Sequence, residues 1–214
     1  MLGLTFGLAA LAIILALPPA TWLAWCLARK SWPGKTLVET LAMMPLVMPP
    51  VATGLILLKL FGKRGAVGGW LFENFGVEIV FTWKAVVIAL AVMVFPLLVR
   101  SLRTAFEEIP EHLEAAGKSL GGSGRSIFWK ISLPLARRGM VAGIVLSFAR
   151  ALGEFGATVM VAGFIPGLTE TLSLSIYRSV QNGDDGRAMM LVGVSAGIAF
   201  AAVFVSTLLV PKRR

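Results

Sequence analysis

The feature that most constrains this chain is a series of long, nearly continuous apolar runs. The runs cover residues 2–28, 37–60, 85–99, 140–166 and 188–210. Because lipid offers no hydrogen-bond partners to a backbone, only helices and closed barrels cross a bilayer. Long runs without strict alternation favour helices over barrel strands. The sequence therefore predicts an all-α integral membrane protein with about five transmembrane helices, organised as one domain over residues 1–214.

Composition supports a membrane setting and argues against several other classes. The chain is 57% hydrophobic and 14% charged, whereas soluble domains are roughly 45–50% apolar and about 25% charged. Its net charge of +9 lies in basic residues flanking the apolar runs, a pattern that sets topology and argues against a nucleic-acid partner. Cys26 is the only cysteine and His112 the only histidine. Disulfide frameworks, thiolate metal sites and Ser-His-Asp triads are therefore disfavoured.

Prolines interrupt the first two runs. Pro18 and Pro19 lie in the first run, which has neither a preceding basic segment nor a clear cleavage site. A retained, kinked helix is therefore favoured over a signal peptide. Pro45, Pro49 and Pro50 lie in the second run and predict a broken or bent helix, which is tolerated where protein or a water-filled cavity covers the freed carbonyls. Pro49, Pro50 and Thr53 are candidates for lining a substrate path, with a tolerated kink as the alternative.

Charge counts give the five spans a direction. Basic residues on one side of the spans are Arg29, Lys30, Lys35, Arg100, Arg103, Lys118, Arg125, Lys130, Arg137, Arg138, Lys212, Arg213 and Arg214. Those on the other side are fewer, namely Lys59, Lys63, Arg64, Lys84, Arg178 and Arg187. By the positive-inside rule, the richer side is cytoplasmic. The expected topology is a multi-pass protein of the cell (inner) membrane, with its N-terminus outside and its C-terminus cytoplasmic.

Two opposite charges interrupt the fourth run. Arg150 and Glu154 are four residues apart, which places them on one face of a helix. Arg150 follows Arg138 by a separation that spans roughly 18 Å of helix. An unpaired arginine at that depth costs on the order of 2.5–3.5 kcal/mol, so we expect the two side chains to pair. They are candidates for an anion path or gate, with a structural ion pair as the equal alternative.

The charged segment 107–134 separates the third and fourth runs and lies on the cytoplasmic side in this topology. Pro110, with acidic neighbours, predicts a helix start. Leu113, Ala116 and Leu120 recur at helical spacing on one face, and a pair of glycines then ends the helix. A helix that merely lies on the membrane surface explains this pattern as well as a docking element does.

Seven residues of this segment keep a characteristic spacing, namely Glu114, Ala115, Ala116, Gly121, Ile131, Leu133 and Pro134. The pattern resembles the EAA loop of ABC importer permeases, with one extra residue before the glycine. The resemblance implies the type I importer permease fold. It also implies that residues 107–134 carry a cytoplasmic coupling helix, which docks in a cleft of an ATPase subunit through these seven residues.

Stretches 45–54, 81–83, 95–106 and 149–158 extend the resemblance to the molybdate permeases of this superfamily. Phe155 and Ala157 favour that family over sulfate permeases, which tend towards Tyr and Ser there. Phe164 stands where family members often have Asn. The resemblance implies a transport subunit, not an enzyme, that translocates molybdate by alternating access. Tungstate and sulfate are the alternative anions.

The resemblance also implies the partners. We expect a second copy of the chain, two cytoplasmic ATPase subunits, an extracytoplasmic oxyanion-binding protein and surrounding membrane lipid. The sequence has no Gly-x-x-x-x-Gly-Lys-Ser/Thr phosphate loop, so ATP and magnesium are expected on the ATPase and no cofactor in this chain. A membrane-embedded enzyme lacks a convincing catalytic set, and a structural anchor leaves the loop unexplained.

The topology is directly testable. A reporter fused after Arg214 is expected to lie in the cytoplasm, so a fused green fluorescent protein fluoresces and a fused alkaline phosphatase is inactive. An active phosphatase fusion at this position contradicts the orientation.

Overall fold

The computed structural model describes residues 1–209, so Val210 and the basic residues Lys212, Arg213 and Arg214 lie outside the described residues. The described chain is built from α-helices and one π-helical turn, which confirms the all-α prediction. The helices are α1 (Leu2–Arg29), α2 (Lys35–Val47), α3 (Pro50–Phe61), α4 (Ala66–Phe75), α5 (Trp83–Glu107), α6 (Glu111–Ser119), α7 (Gly124–Ile127), the π turn (Phe128–Ser132), α8 (Leu133–Leu152), α9 (Gly156–Ala162), α10 (Leu172–Gln181) and α11 (Asp185–Leu209).

Within residues 1–209, four helical segments are long and apolar enough to cross a membrane. They are α1, α5, the continuous segment Gly124–Leu152, and Asp185–Leu208 of α11. A fifth candidate is a broken pair, α2 and the helical stretch Pro50–Phe75, bent by 111°. The structure therefore agrees with the predicted five spans if the broken pair counts as one.

Small side chains let the two central helices, α1 and α5, pack closely. The buried face of α1 is a row of alanines at helical spacing, including Ala9, Ala12, Ala20 and Ala24. Small residues of this kind allow helix backbones in a membrane to approach each other. Opposite this row, α5 buries larger residues such as Leu90. The α1–α5 pair is the core on which the other helices assemble.

The second run is broken at Pro49 and Pro50, as predicted, whereas α2 continues through Pro45. Helix α2 ends at Val47, and Met48 and Pro49 leave the helical conformation with ψ angles of 145° and 130°. Pro50 then lies in the first turn of α3, where a missing N–H breaks no helical hydrogen bond. In contrast, α1 continues through Pro18 and Pro19 as one helix.

The fourth run, 140–166, is wrong as a single span. Helix α8 ends at Leu152, Gly153 follows as its C-cap, and a separate seven-residue helix, α9, begins at Gly156. Helices also extend into the residues between the third and fourth runs, because α5 continues to Glu107 and α8 already begins at Leu133. Helix ends and apolar-run ends therefore do not coincide. Helix α5 extends past the end of its apolar run, and α8 begins before its run and ends inside it.

Two glycines allow α3 and α9 to pack in close contact. A Cβ built on Gly54 would lie 2.8 Å from the carbonyl oxygen of Ala157 and 2.8 Å from Cβ of Met160. A Cβ on Gly156 would lie 2.9 Å from Cβ of Pro50. These distances leave no room for a side chain, so the crossing of the two short helices depends on both glycines.

Replacing Gly54 with valine should therefore destabilise the protein, because overpacking typically costs about 1–3 kcal/mol. We expect the melting temperature of the purified permease to fall in a fluorescence-detected thermal unfolding assay. Gly193→Val in α11 is the matched control, since a Cβ there meets nothing within 4 Å among residues 1–209. Equal melting temperatures for the two variants would contradict the close α3–α9 packing.

Candidate coupling site and translocation path

Helix α6 forms where the segment 107–134 predicts it. Pro110 is its N-cap, and Glu111 and Glu114 lie in its first turn, where carboxylates favour the positive end of the helix dipole. Gly121 adopts a φ of 81° shortly after the helix ends, a left-handed conformation that favours glycine. The predicted start and stop of this helix are confirmed.

The surface of α6 faces away from the helix bundle. No side chain within 111–119 is buried, and Ala115 and Ala116 are both exposed. Leu120, directly after the helix, is 89% exposed, and Leu113 is also exposed. Two apolar side chains flanking two small ones form a surface suited to a protein partner.

Glu114 is the exception on α6, because its carboxylate turns inward. Oε2 lies 3.1 Å from Nε of Arg29 at the end of α1, and Oε1 accepts a hydrogen bond of 2.7 Å from Oγ of Ser132. Arg29 also donates from Nη2 to the carbonyl oxygen of Ile109 at 2.8 Å. The side chains of Arg29 and Glu114 are only 10% and 13% exposed. Glu114 thus fastens α6 to α1 and to the π turn.

The second contact between α6 and the rest of the protein is at Gly117. A Cβ on Gly117 would lie 2.7 Å from Cδ1 of Ile131 and 3.4 Å from Cγ1 of Ile127. Ile131 therefore packs directly against the α6 backbone. Gly117 and Ser132 are absent from the seven residues predicted for coupling. The one sequence signal for a close contact at residue 117 is that a glycine interrupts an amphipathic helix there.

Leu133 and Pro134 have a different role from the exposed residues of α6. Both lie at the start of α8, directly after the π turn. Leu133 packs against the core. The structure therefore divides the seven predicted residues into three groups. Ala115, Ala116 and Gly121 are exposed, and Glu114 points inward. Ile131, Leu133 and Pro134 lie in the π turn and in α8, which support α6.

The predicted Arg150–Glu154 pair is present. Nη1 of Arg150 lies 2.8 Å from Oε2 of Glu154, whose side chain is 2% exposed, whereas that of Arg150 is 36% exposed. Oε1 of Glu154 also accepts a 3.0 Å hydrogen bond from the backbone N–H of Ala157. Glu154 thus satisfies the N-terminus of α9 as well as the arginine.

The α3–α9 crossing brings the two groups of path candidates together. Pro50 lies against Gly156, two residues after Glu154, although more than a hundred residues separate them in sequence. Thr53 and Thr158 bury their hydroxyl groups there without a hydrogen-bond partner among the described residues. Pro49, Pro50, Thr53, Arg150 and Glu154 therefore belong to one neighbourhood at the ends of broken helices.

Helix α10 closes the far end of this neighbourhood. Oγ of Ser173 donates to the carbonyl oxygen of Leu152, the last residue of α8, at 3.0 Å. The backbone N–H of Leu172 donates to Oγ1 of Thr5 at the start of α1, at 3.1 Å. The rings of Phe155 and Tyr177 are 4.9 Å apart. Helix α10 is thus tied to both α1 and α8.

Comparison with known proteins identifies the family. The model of the binding-protein-dependent transport system inner membrane component matches residues 11–214. The molybdenum transport system permease protein ModB of Escherichia coli (strain K12) is 40% identical over 205 residues, 95% of this chain and 89% of that protein. The sulfate transport system permease protein CysT of the same organism is 35% identical over 182 residues, 85% of this chain and 65% of that protein.

A solved structure supports the fold independently. The MetNI methionine ABC transporter in an inward-facing conformation matches with a TM-score of 0.63 at 18% identity, over 98% of this chain and 92% of that chain. Relatives of this kind are transporter permease subunits and not themselves enzymes. The chain belongs to the family of binding-protein-dependent transport system inner membrane components and is the multi-pass, inner-membrane permease subunit of an ABC importer.

Proposed function

We propose that this permease translocates molybdate. The observation that carries the proposal is 40% identity to a molybdenum permease over 95% of the chain, against 35% identity to a sulfate permease over 85% of it. The Phe155 and Ala157 residues support the same choice. Tungstate and sulfate, which are oxyanions of the same charge and tetrahedral shape, are the alternatives that the transport experiment separates.

Arg150 is the side chain best suited to meet an oxyanion in this chain. Glu154 is almost fully buried and uses its carboxylate on Arg150 and on α9. A guanidinium carries five N–H donors, so pairing with one carboxylate leaves donors free, and the Arg150 side chain is partly exposed. In this proposal Glu154 holds the arginine and the helix break in place, while Arg150 faces the anion path.

The surface of α6 is the docking site for the ATPase in this proposal. ATP and magnesium bind to the two ATPase subunits, and this chain holds no cofactor. A second copy of the chain completes the path, and an oxyanion-binding protein delivers the substrate outside. The N-terminus lies outside and the C-terminus in the cytoplasm, which places α6 on the ATPase side. Movement of α6 then drives alternating access through Glu114 and Gly117.

Replacing Glu114 with alanine should uncouple the transporter, because it leaves Arg29 and Ser132 without their shared acceptor. Losing a charged, largely buried hydrogen-bond partner costs about 1–3 kcal/mol. We expect a lower melting temperature of the permease, and a loss of molybdate uptake relative to ATP hydrolysis in the reconstituted complex.

Glu111→Ala is the matched control on the same helix, because Glu111 is exposed. It should lower the melting temperature less than Glu114→Ala does. If Glu114→Ala retains both wild-type stability and wild-type uptake per ATP hydrolysed, the carboxylate does not couple the two motions.

The substrate is tested in proteoliposomes that contain the permease, its ATPase and its binding protein. We expect ATP-dependent uptake of molybdate that a tenfold excess of sulfate does not suppress. Uptake of sulfate or of tungstate at a higher rate than molybdate contradicts molybdate as the preferred substrate.

Arg150→Gln should reduce uptake about tenfold or more, since it removes the charge that meets the anion, whereas Arg137→Gln should not. An Arg150→Gln protein with normal uptake places Arg150 outside the path.

A further inference from the structure

An apolar crevice lies between α1 and the segment that leads from α7 through the π turn into α8. Its volume is about 590 Å³, within the usual range for small-molecule sites. The lining residues are Leu17, Pro18, Thr21, Trp22, Trp25, Gly124, Arg125, Phe128, Trp129, Leu133 and Met140. From Leu17 to Trp25 the crevice follows α1 for about 12 Å. The crevice is therefore elongated along α1 and lined almost entirely by apolar residues.

The two walls of the crevice carry exposed tryptophans. Trp22 on α1 is 66% exposed and Trp129 on the π turn is 58% exposed. Tryptophan concentrates at the level of lipid headgroups in membrane proteins. In the proposed orientation, this end of α1 lies at the cytoplasmic interface. The crevice therefore runs from the headgroup level into the hydrocarbon of the cytoplasmic leaflet.

One end of the crevice is cationic. Arg125 is part of the lining, and Nζ of Lys30 lies 4.9 Å from the centre of the Trp25 ring. Arg125 and Lys30 are both exposed and take part in none of the ion pairs found among residues 1–209. The neighbouring Arg29 is already paired with Glu114. Two cations at the mouth of an apolar crevice complement an anionic headgroup attached to an acyl chain.

A buried donor also lacks a partner at this end. The indole Nε1 of Trp25 is inaccessible and has no hydrogen-bond acceptor among the described residues. A buried N–H without an acceptor is costly, and Trp25 lines the crevice beside Lys30. An ester or phosphate oxygen of a lipid would be an acceptor of the right kind.

We propose that this crevice binds one anionic phospholipid of the cytoplasmic leaflet. The acyl chain lies along Leu17, Thr21 and Met140, and the phosphate lies between Arg125 and Lys30. The assignment rests on the proposed orientation and not on the transported anion. The lipid contacts Phe128 at the start of the π turn, which also carries Ser132, the partner of Glu114. A bound lipid therefore stabilises the π turn, to which α6 is attached through Ser132 and Glu114.

Lipid retention tests the proposal without any transport measurement. The purified permease–ATPase complex is equilibrated with equal amounts of phosphatidylglycerol and phosphatidylcholine of the same chain length, and bound lipid is counted by native mass spectrometry. We expect the wild type to retain phosphatidylglycerol preferentially. Arg125→Gln should lower that preference about fivefold, while the control Arg137→Gln, which removes a cytoplasmic charge outside the crevice, should not.

A second variant tests the acyl-chain site. Thr21→Phe fills the crevice and should reduce retention of both lipids. Equal phosphatidylglycerol preference in Arg125→Gln and Arg137→Gln overturns the headgroup assignment, and normal retention in Thr21→Phe overturns the crevice as the site. Efficient disulfide cross-linking between two copies through Trp22→Cys, in a Cys26→Ala background, shows instead that a second copy of the chain covers the crevice.

Discussion

The interaction on which the position of α6 depends is the acceptance of two hydrogen bonds by one carboxylate. Glu114 accepts hydrogen bonds from Arg29 of α1 and from Ser132 of the π turn. Gly117 of the same helix packs against the side chain of Ile131. Because α6 is short and has no buried side chain of its own, these contacts fix its position. A displacement of α6 must therefore either break the ion pair with Arg29 or move α1.

The opposite end of α1 is fastened as well. Thr5 accepts the N–H of Leu172 at the start of α10, and Ser173 caps the last carbonyl of α8. Helix α1 is thus one continuous element of about 42 Å with a polar attachment at each end and an alanine face along α5 between them. Helix α1 therefore connects the α6 end of the protein with the α10 end.

The sequence was sufficient for the elements that depend on local chemistry. Apolar runs predict the spans, Pro49 and Pro50 predict the break, and the glycines after Leu120 predict the end of α6. It was insufficient where distant residues decide the structure. Arg29 looked like a topology signal, and only the fold shows that it lies beside Glu114, 85 residues away. The end of α8 at Leu152 was missed because hydropathy continues through Gly153 into α9.

Helix α9 has only seven residues, and a helix of that length is not stable alone. Its conformation is supported by the Glu154 carboxylate at one end and by the glycine contacts with α3 along its side. Any tilt or slide of α9 therefore requires α3 to move with it. The packing distance between α3 and α9 is set by Gly54 and Gly156, which have no side chains, and the start of α9 is held by the buried carboxylate of Glu154.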